Sequence, residues 1–156
     1  MKKLLALFVS HGLVLAIGFV AGIYMLPILV APSGPTDLQV SQTAASASYT
    51  ASIRDDLAGH DFLHWGKGSF SISPDAITLM GSVAPGPDYK LYLAPSFAQD
   101  EAGFLAIKAS ALSIGDVKSF DNFILNVPTG TDIDAYNTVL VWCESFGEFI
   151  TAARYR

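Results

Sequence analysis

Residues 138–153 read TVLVWCESFGEFITAA, the clearest β-hairpin pattern in the chain. The run from Thr138 to Cys143 is apolar and rich in β-branched residues, which is typical of a central strand buried on both faces. Residues Phe146 to Ala153 return as the last strand, with Glu148 across the hairpin from Cys143. The stretch therefore predicts a hairpin in the middle of a β-sheet.

Shorter strands precede this hairpin. Residues 69–73 alternate with period two, and Pro74-Asp75 signals a turn before a partner strand over residues 76–83. Further strands are predicted over residues 89–93, 104–112 and 123–127. No helical period of ten or more residues appears after Val30. The sequence therefore predicts an all-β domain, an antiparallel β-sandwich or a barrel.

The first thirty residues have a different character. Lys2 and Lys3 precede the run from Leu4 to Val30, in which no residue has a fixed charge. As a helix this run is about 40 Å long, against about 30 Å for the hydrocarbon core of a bilayer. It predicts a single transmembrane helix that inserts residues 4–30 into the lipid bilayer. Because lysines stay on the cytoplasmic side, the rest of the chain is expected in the periplasm or at the cell exterior.

A cleaved signal peptide is the alternative for this segment. The apolar part of such a peptide is about 7–15 residues long, and small residues follow it closely. Here the apolar run is about twice as long, and Ala31 is followed by Pro32, which disfavours cleavage. The sequence thus favours an uncleaved signal anchor over residues 1–30.

Gly18 and Gly22 form a small-xxx-small pair within the predicted transmembrane helix. Such pairs let two helices approach closely, so the pair suggests a homodimer. Glycine is also common in membrane helices without any such role.

The next segment, residues 31–52, is rich in Pro, Ser, Thr, Ala and Gln and carries one charge, Asp37. This composition predicts a flexible linker. Alternatively, residues 48–53 add an edge strand to the sheet. Residues 53–156 remain for the β domain.

Composition excludes several functions. Lys and Arg number 9 against 14 Asp and Glu, a net charge of −5, so there is no basic face for nucleic acid. One cysteine rules out an internal disulfide and a cysteine metal cluster. Neither a Gly-x-Ser-x-Gly motif nor a phosphate loop occurs, so an enzyme is disfavoured, no metal site is predicted, and the sequence leaves any cofactor unknown.

Cys143 is the sharpest candidate site residue. An unpaired cysteine outside the cytoplasm could be a redox-active thiol, which requires the thiolate. Burial in an apolar strand and the acidic neighbours Glu144 and Glu148 would instead raise its pKa. The sequence leaves both a buried structural cysteine and a redox role open.

Three further residues could support such a site. His64 lies near His60 and Asp61, where a solvated loop is favoured over a metal site. His64 could still form a hydrogen bond that pins the loop, or it could equally lie near Cys143. Trp142 is interpreted as a core anchor, with electron relay as the alternative. Asp88 is interpreted as a cap of the turn at Gly86-Pro87.

Four groups of residues together resemble a known family. They are HWGKG at 64–68, GPDYKLYL at 86–93, Val127-Pro128, and YNTVLVWC at 136–143 with Phe146 and Phe149 behind it. In this order and spacing the set resembles the DM-thirteen domain, which in animals often neighbours DOMON domains. The resemblance covers roughly residues 53–156. It implies a small extracytoplasmic β domain with an unproven role in electron transfer centred on Cys143.

Two functions follow from these observations. The first is a membrane-anchored extracytoplasmic β domain that binds or stabilises an unidentified envelope or membrane protein without catalysis. The alternative is a redox module that passes electrons through Cys143.

Overall fold

The computed structural model describes all 156 residues, which form one long helix followed by a β-rich domain. Helix α1 spans Lys2–Val30, α2 spans Asp37–Ala44 and α3 spans Glu101–Ile107. Short 3-10 turns occupy Lys108–Ser110 and Ile133–Ala135. The eight strands are β1 Tyr49–Ser52, β2 Gly66–Ile72, β3 Ala76–Val83, β4 Tyr89–Ala94, β5 Leu112–Val117, β6 Phe123–Asn126, β7 Thr138–Cys143 and β8 Glu148–Arg154.

The strands form two four-stranded antiparallel sheets, in the orders β1-β2-β3-β6 and β5-β4-β7-β8. Their apolar residues share one core, which includes Phe70 and Leu79 from the first sheet and Leu91 and Val141 from the second. This arrangement confirms the predicted antiparallel β-sandwich. The 3-10 turn at Ile133–Ala135 lies just before β7, and Asp132 caps it by accepting a hydrogen bond from the Asp134 N–H.

Strand β7 lies between β4 and β8, and all six of its residues are buried. Both faces are covered. Val141, Trp142 and Phe104 of α3 belong to the same core, and the ring of Trp142 packs on Phe104 with centroids 5.0 Å apart. Because α3 covers the second face, the run from Thr138 to Cys143 is apolar at nearly every position rather than at alternate ones.

The strand predicted over residues 104–112 is wrong. Residues 101–107 form α3, whose start is capped by the Asp100 side chain as it accepts a 2.7 Å hydrogen bond from the Gly103 N–H. The strand of this region is β5, which begins only at Leu112. The apparent alternation of Leu105 and Ile107 fits a short helix equally well, because seven residues are too few to separate the two periods.

The segment predicted as a linker contains two elements. A capping box between Thr36 and Gln39 starts α2, and Val40 of that helix is fully buried where α2 packs on β3 and β6. Strand β1 then pairs with β2 at the sheet edge, which is the alternative that the sequence left open. The domain boundaries at residues 30 and 52 stay a prediction.

Helix α1 has no buried residue, and its mean hydropathy reaches 2.5 over an 18-residue window. It is therefore long and apolar enough to cross a membrane. An anchor and a signal sequence share these properties.

Candidate functional site

Cys143 ends β7, between Tyr89 on β4 and Glu148 on β8. The residue is 2% exposed, and its Sγ donates a 3.1 Å hydrogen bond to the carbonyl oxygen of Pro87. Burial raises the pKa of the thiol, and the backbone N–H groups of Phe146 and Ser145 oppose that rise only in part. The thiol is therefore protonated near neutral pH.

The turn between β7 and β8 shapes the surroundings of the sulfur. Gly147 adopts a φ of 69° and donates from its N–H to the Cys143 carbonyl at 3.0 Å. Only glycine reaches this left-handed region without steric cost. The tight turn leaves Phe146 at its tip, exposed to solvent.

Asp88 joins the preceding turn to this one. Its carbonyl accepts a 3.0 Å hydrogen bond from the Glu144 N–H, and its carboxylate accepts one of 3.0 Å from the Ser145 hydroxyl. Asp88 itself has a φ of 55°, the one non-glycine residue in the chain with a positive value. The side chain thus holds the Cys143 turn in place. The sequence interpretation had given it a local role at Gly86-Pro87.

A cavity of about 780 Å³ opens next to Cys143. The domain lines it mainly with apolar side chains, and residues of α1 from Val20 to Tyr24 close one side. The lining contributed by the domain includes Phe62, Leu63, His64, Tyr89, Cys143 and Phe146. Burial raises the pKa of Tyr89 well above its usual range, so this wall of the cavity carries no charge.

His64 lines the same cavity as Cys143, a proximity that the sequence could not establish. Its Nδ1 lies 3.1 Å from the Asp61 carboxylate, which also accepts the backbone N–H groups of Leu63 and His64 at 2.7 Å each. This network pins the loop before β2, one of the roles that the sequence left open for His64. His60 lies apart from it, with its Nε2 3.0 Å from the Thr151 hydroxyl. No group of three His, Cys, Asp or Glu residues has the geometry to hold a metal ion.

Trp142 lies on the opposite face of β7 from Cys143. The side chain is 1% exposed, and its indole N–H has no hydrogen-bond partner. Its ring packs on Phe104, and the Lys108 ammonium lies 5.1 Å from the ring centroid. A nearby cation disfavours removal of an electron from the ring, so these contacts suit a core anchor better than an electron relay.

Sequence analysis missed one polar cluster on that face. The Glu144 carboxylate accepts hydrogen bonds from the Tyr92 hydroxyl and from the Lys108 ammonium, the latter at 2.6 Å. Burial alone would raise the pKa of Glu144, but the hydrogen bonds from Lys108 and Tyr92 outweigh it and lower the pKa. Burial and this carboxylate raise the pKa of Tyr92 to about 12. These residues come from three distant segments, and no local motif links them.

Comparison with known proteins gives one finding. Residues 58–155 match the model of a family described as Electron transfer DM13. No curated protein and no solved structure matches the chain. The family match covers well over half of the chain and includes β2 to β8 with Cys143, His64, Asp88 and Trp142. The chain therefore belongs to the DM13 electron-transfer family.

Proposed function

We propose that this chain is a membrane-anchored member of the family, whose β domain lies outside the cytoplasm and binds or stabilises an envelope partner without catalysis. The apolar helix α1, which follows Lys2 and Lys3, supports the anchoring and its orientation. A net negative charge disfavours nucleic acid as the partner. The partner is thus expected to be a protein of the membrane or envelope.

The observation that favours this role over the redox alternative is the state of the one cysteine. The nucleophilic and redox-active form of cysteine is the thiolate. Cys143 is buried, donates its proton to the Pro87 carbonyl and has a raised pKa. A thiol pair for disulfide chemistry would require a second cysteine, and the sequence contains one. The contacts of Cys143 therefore favour a structural role.

The test of this proposal compares Cys143→Ser with the unaltered chain in cells that depend on the protein. We expect the variant to keep its cellular activity whenever it folds, with only a lower thermal midpoint. We also expect a thiol reagent at pH 7 to modify native Cys143 far more slowly than the urea-unfolded chain. Rapid modification of the native protein, or loss of activity in a variant of unchanged stability, would contradict the proposal.

Electron transfer through Cys143 is the second candidate. Two observations favour it. The backbone N–H groups of Ser145 and Phe146 are placed to stabilise charge on the sulfur, and the adjacent cavity is large enough for a small cofactor. A chain purified from membranes with an absorbance band above about 350 nm, where many redox cofactors absorb, would support it. The band should disappear in Cys143→Ser while the domain stays folded.

A further inference from the structure

Three large apolar side chains project from the domain at one place. Phe62 is 88% exposed and Leu63 is 42% exposed in the loop before β2, and Phe146 is 57% exposed in the β7–β8 turn. Although Phe146 is far from Phe62 and Leu63 in sequence, all three line the cavity next to Cys143. Scattered exposed apolar residues are ordinary, but a group on two loop tips marks a contact surface. We call these three residues the apolar tip.

The apolar tip lies beside the part of α1 from Val20 to Tyr24. Val20, Ala21, Ile23 and Tyr24 complete the same cavity, and the following turn of α1 faces the Pro87–Asp88 loop in a second cavity. Lys2 and Lys3 stay outside the hydrocarbon, so the span is counted from Leu4. About 20 helical residues cover the hydrocarbon core of a bilayer, which is about 30 Å thick. Counted from Leu4, the hydrocarbon therefore ends close to Ile23, at the level of Val20–Tyr24, although the apolar run itself continues to Val30.

The position of Tyr24 supports a hydrocarbon boundary at Val20–Tyr24, because tyrosine is enriched where the hydrocarbon meets the headgroups. The domain loops that lie at the same level must then face the outer surface of the bilayer. Phenylalanine and leucine on loop tips can bury their side chains at that boundary while the loop backbone stays among the headgroups.

We propose that the apolar tip inserts into the outer-leaflet interface, so that the domain lies on the membrane rather than free of it. This inference rests on the proposed anchoring by α1. Lipid is the occupant because the tip is continuous with the membrane helix. The residues beside it are acidic or neutral, including Asp61 and Glu148. From Arg54 onward the chain has 7 basic residues against 13 acidic ones, so the contact needs no anionic lipid.

The experiment uses the full chain reconstituted in phosphatidylcholine vesicles. Phe62→Cys and Phe146→Cys introduce labelling sites for a fluorescent bimane, and Asp75→Cys is the matched control. Asp75 is exposed in the turn at the far end of the β2–β3 hairpin. Native Cys143 is buried, and the unaltered chain measures any labelling there; if it labels, all three variants are remade with Cys143→Ser.

We expect brominated lipid to quench the labels at positions 62 and 146 several-fold more than the label at 75, and aqueous iodide to show the reverse order. Equal iodide quenching at all three positions in a chain that resists alkaline extraction would overturn the insertion of the tip but leave the anchor. Labels at 62 and 146 shielded from both quenchers would mean that a protein surface covers the tip, which also overturns it.

Failure of the anchor is recognised separately, because alkaline carbonate would then release the chain from the vesicles. The released chain is added to fresh vesicles of the same lipid and the quenching is repeated. Brominated lipid that still quenches positions 62 and 146 supports the tip without the anchor, and no quenching overturns both.

Discussion

At the scale of single residues, the site depends on the few side chains that join loops to strands. Asp88 connects two turns, and Asp61 holds His64 and the loop before β2. Glu144 does the same on the other face of β7, where it receives one hydrogen bond from β4 and one from the segment after α3. Each is a carboxylate that accepts hydrogen bonds from another segment or loop, and bonds to a charged acceptor are stronger than neutral ones.

Glu144→Gln should lower the free energy of unfolding at pH 7 by about 1–2 kcal/mol, because charge-assisted hydrogen bonds become neutral ones. The pKa of Glu144 is lower in the folded protein than its usual value of 4.5. Its contribution is therefore complete above about pH 4.5 and is lost as the pH falls through the folded pKa. Urea unfolding at pH 7 and pH 3 should show a difference between variant and parent that shrinks at the lower pH.

Asp56→Asn is the matched control for Glu144. Asp56 pairs with Arg54 at 2.7 Å, but both side chains are exposed. Exposed pairs contribute little to stability, so this variant should unfold like the parent at both pH values. A loss in Glu144→Gln that is the same at pH 3 as at pH 7 would show that the carboxylate charge is not responsible.

The chemistry of the site was predictable at residue level, but its assembly was not. The burial of Cys143 follows from its apolar strand, and the further rise that Glu148 causes in the thiol pKa follows from the hairpin register. The common cavity of His64 and Cys143 does not, because it depends on how the loop before β2 folds against the other sheet. The Tyr92–Glu144–Lys108 cluster is similarly non-local and has no sequence signal.

At the scale of elements, the β2–β3 hairpin requires a close approach of two backbones. Gly68 and Gly81 face each other across the strands with φ of 110° and 153°. A Cβ on Gly81 would overlap the carbonyl oxygen of Lys67. Gly81→Ala should therefore cost about 3 kcal/mol in the free energy of unfolding, from overlap and backbone strain together. Urea denaturation measures this loss.

Gly130→Ala is the control for Gly81→Ala. Gly130 also has a positive φ, 84°, but a Cβ there meets no atom within 4 Å. Its substitution should cost only the conformational term, about 1 kcal/mol. Equal losses in the two variants would argue that contact between the strands is not the cause.

Helix α2 raises a second question, namely whether it belongs to the domain or to the linker. Val40 is fully buried against the first sheet, whereas Leu38 of the same helix is 67% exposed. Val40→Ala should lower the free energy of unfolding by about 1–3 kcal/mol through the cavity it leaves, and Leu38→Ala should leave it unchanged. Urea unfolding of both variants decides, and an unchanged Val40→Ala would place α2 in a flexible linker.

Individual strands and helices differ in how well the sequence pattern predicts them. Strand β7 was predictable because its burial on both faces leaves a continuous apolar run. Strand β5 was not, because it is an edge strand with Ser113, Gly115 and Asp116 and only one fully buried residue. Because the apolar residues of α3 lie just before β5, the sequence pattern predicts the strand at α3 instead of at β5. Helix α2 buries one side chain, too few to produce a period, although its capping box is readable at Thr36 and Gln39.

At the scale of the whole molecule, α1 leaves one face open for another helix. A Cβ on Gly18 or on Gly22 would meet no atom within 4 Å, so neither glycine is required by contacts within the chain. If the pair mediates a homodimer, Gly22→Leu should reduce cross-linked dimer in membranes several-fold without lowering the amount of folded protein. Gly12→Leu, on the same open helix, is the control. Equal cross-linking in all three chains would contradict a dimer through this pair.

The proposed position of the domain, outside the cytoplasm, rests on α1 and its flanking charges. If Lys2 and Lys3 stay inside, external protease should remove a tag placed after Arg156, in intact cells for a domain at the cell exterior and in spheroplasts for a periplasmic one, and should leave a tag before Met1 protected. Replacing both lysines by glutamate should lower the fraction of correctly oriented chains, because the positive-inside bias is removed while the apolar run is unchanged. Cell fractionation tests whether α1 stays attached to the domain. A soluble domain whose mature start lies beyond Val30 would contradict the anchor and identify α1 as a cleaved signal sequence. The sandwich would then act in solution, and the lipid contact of its loops would depend on the apolar tip alone.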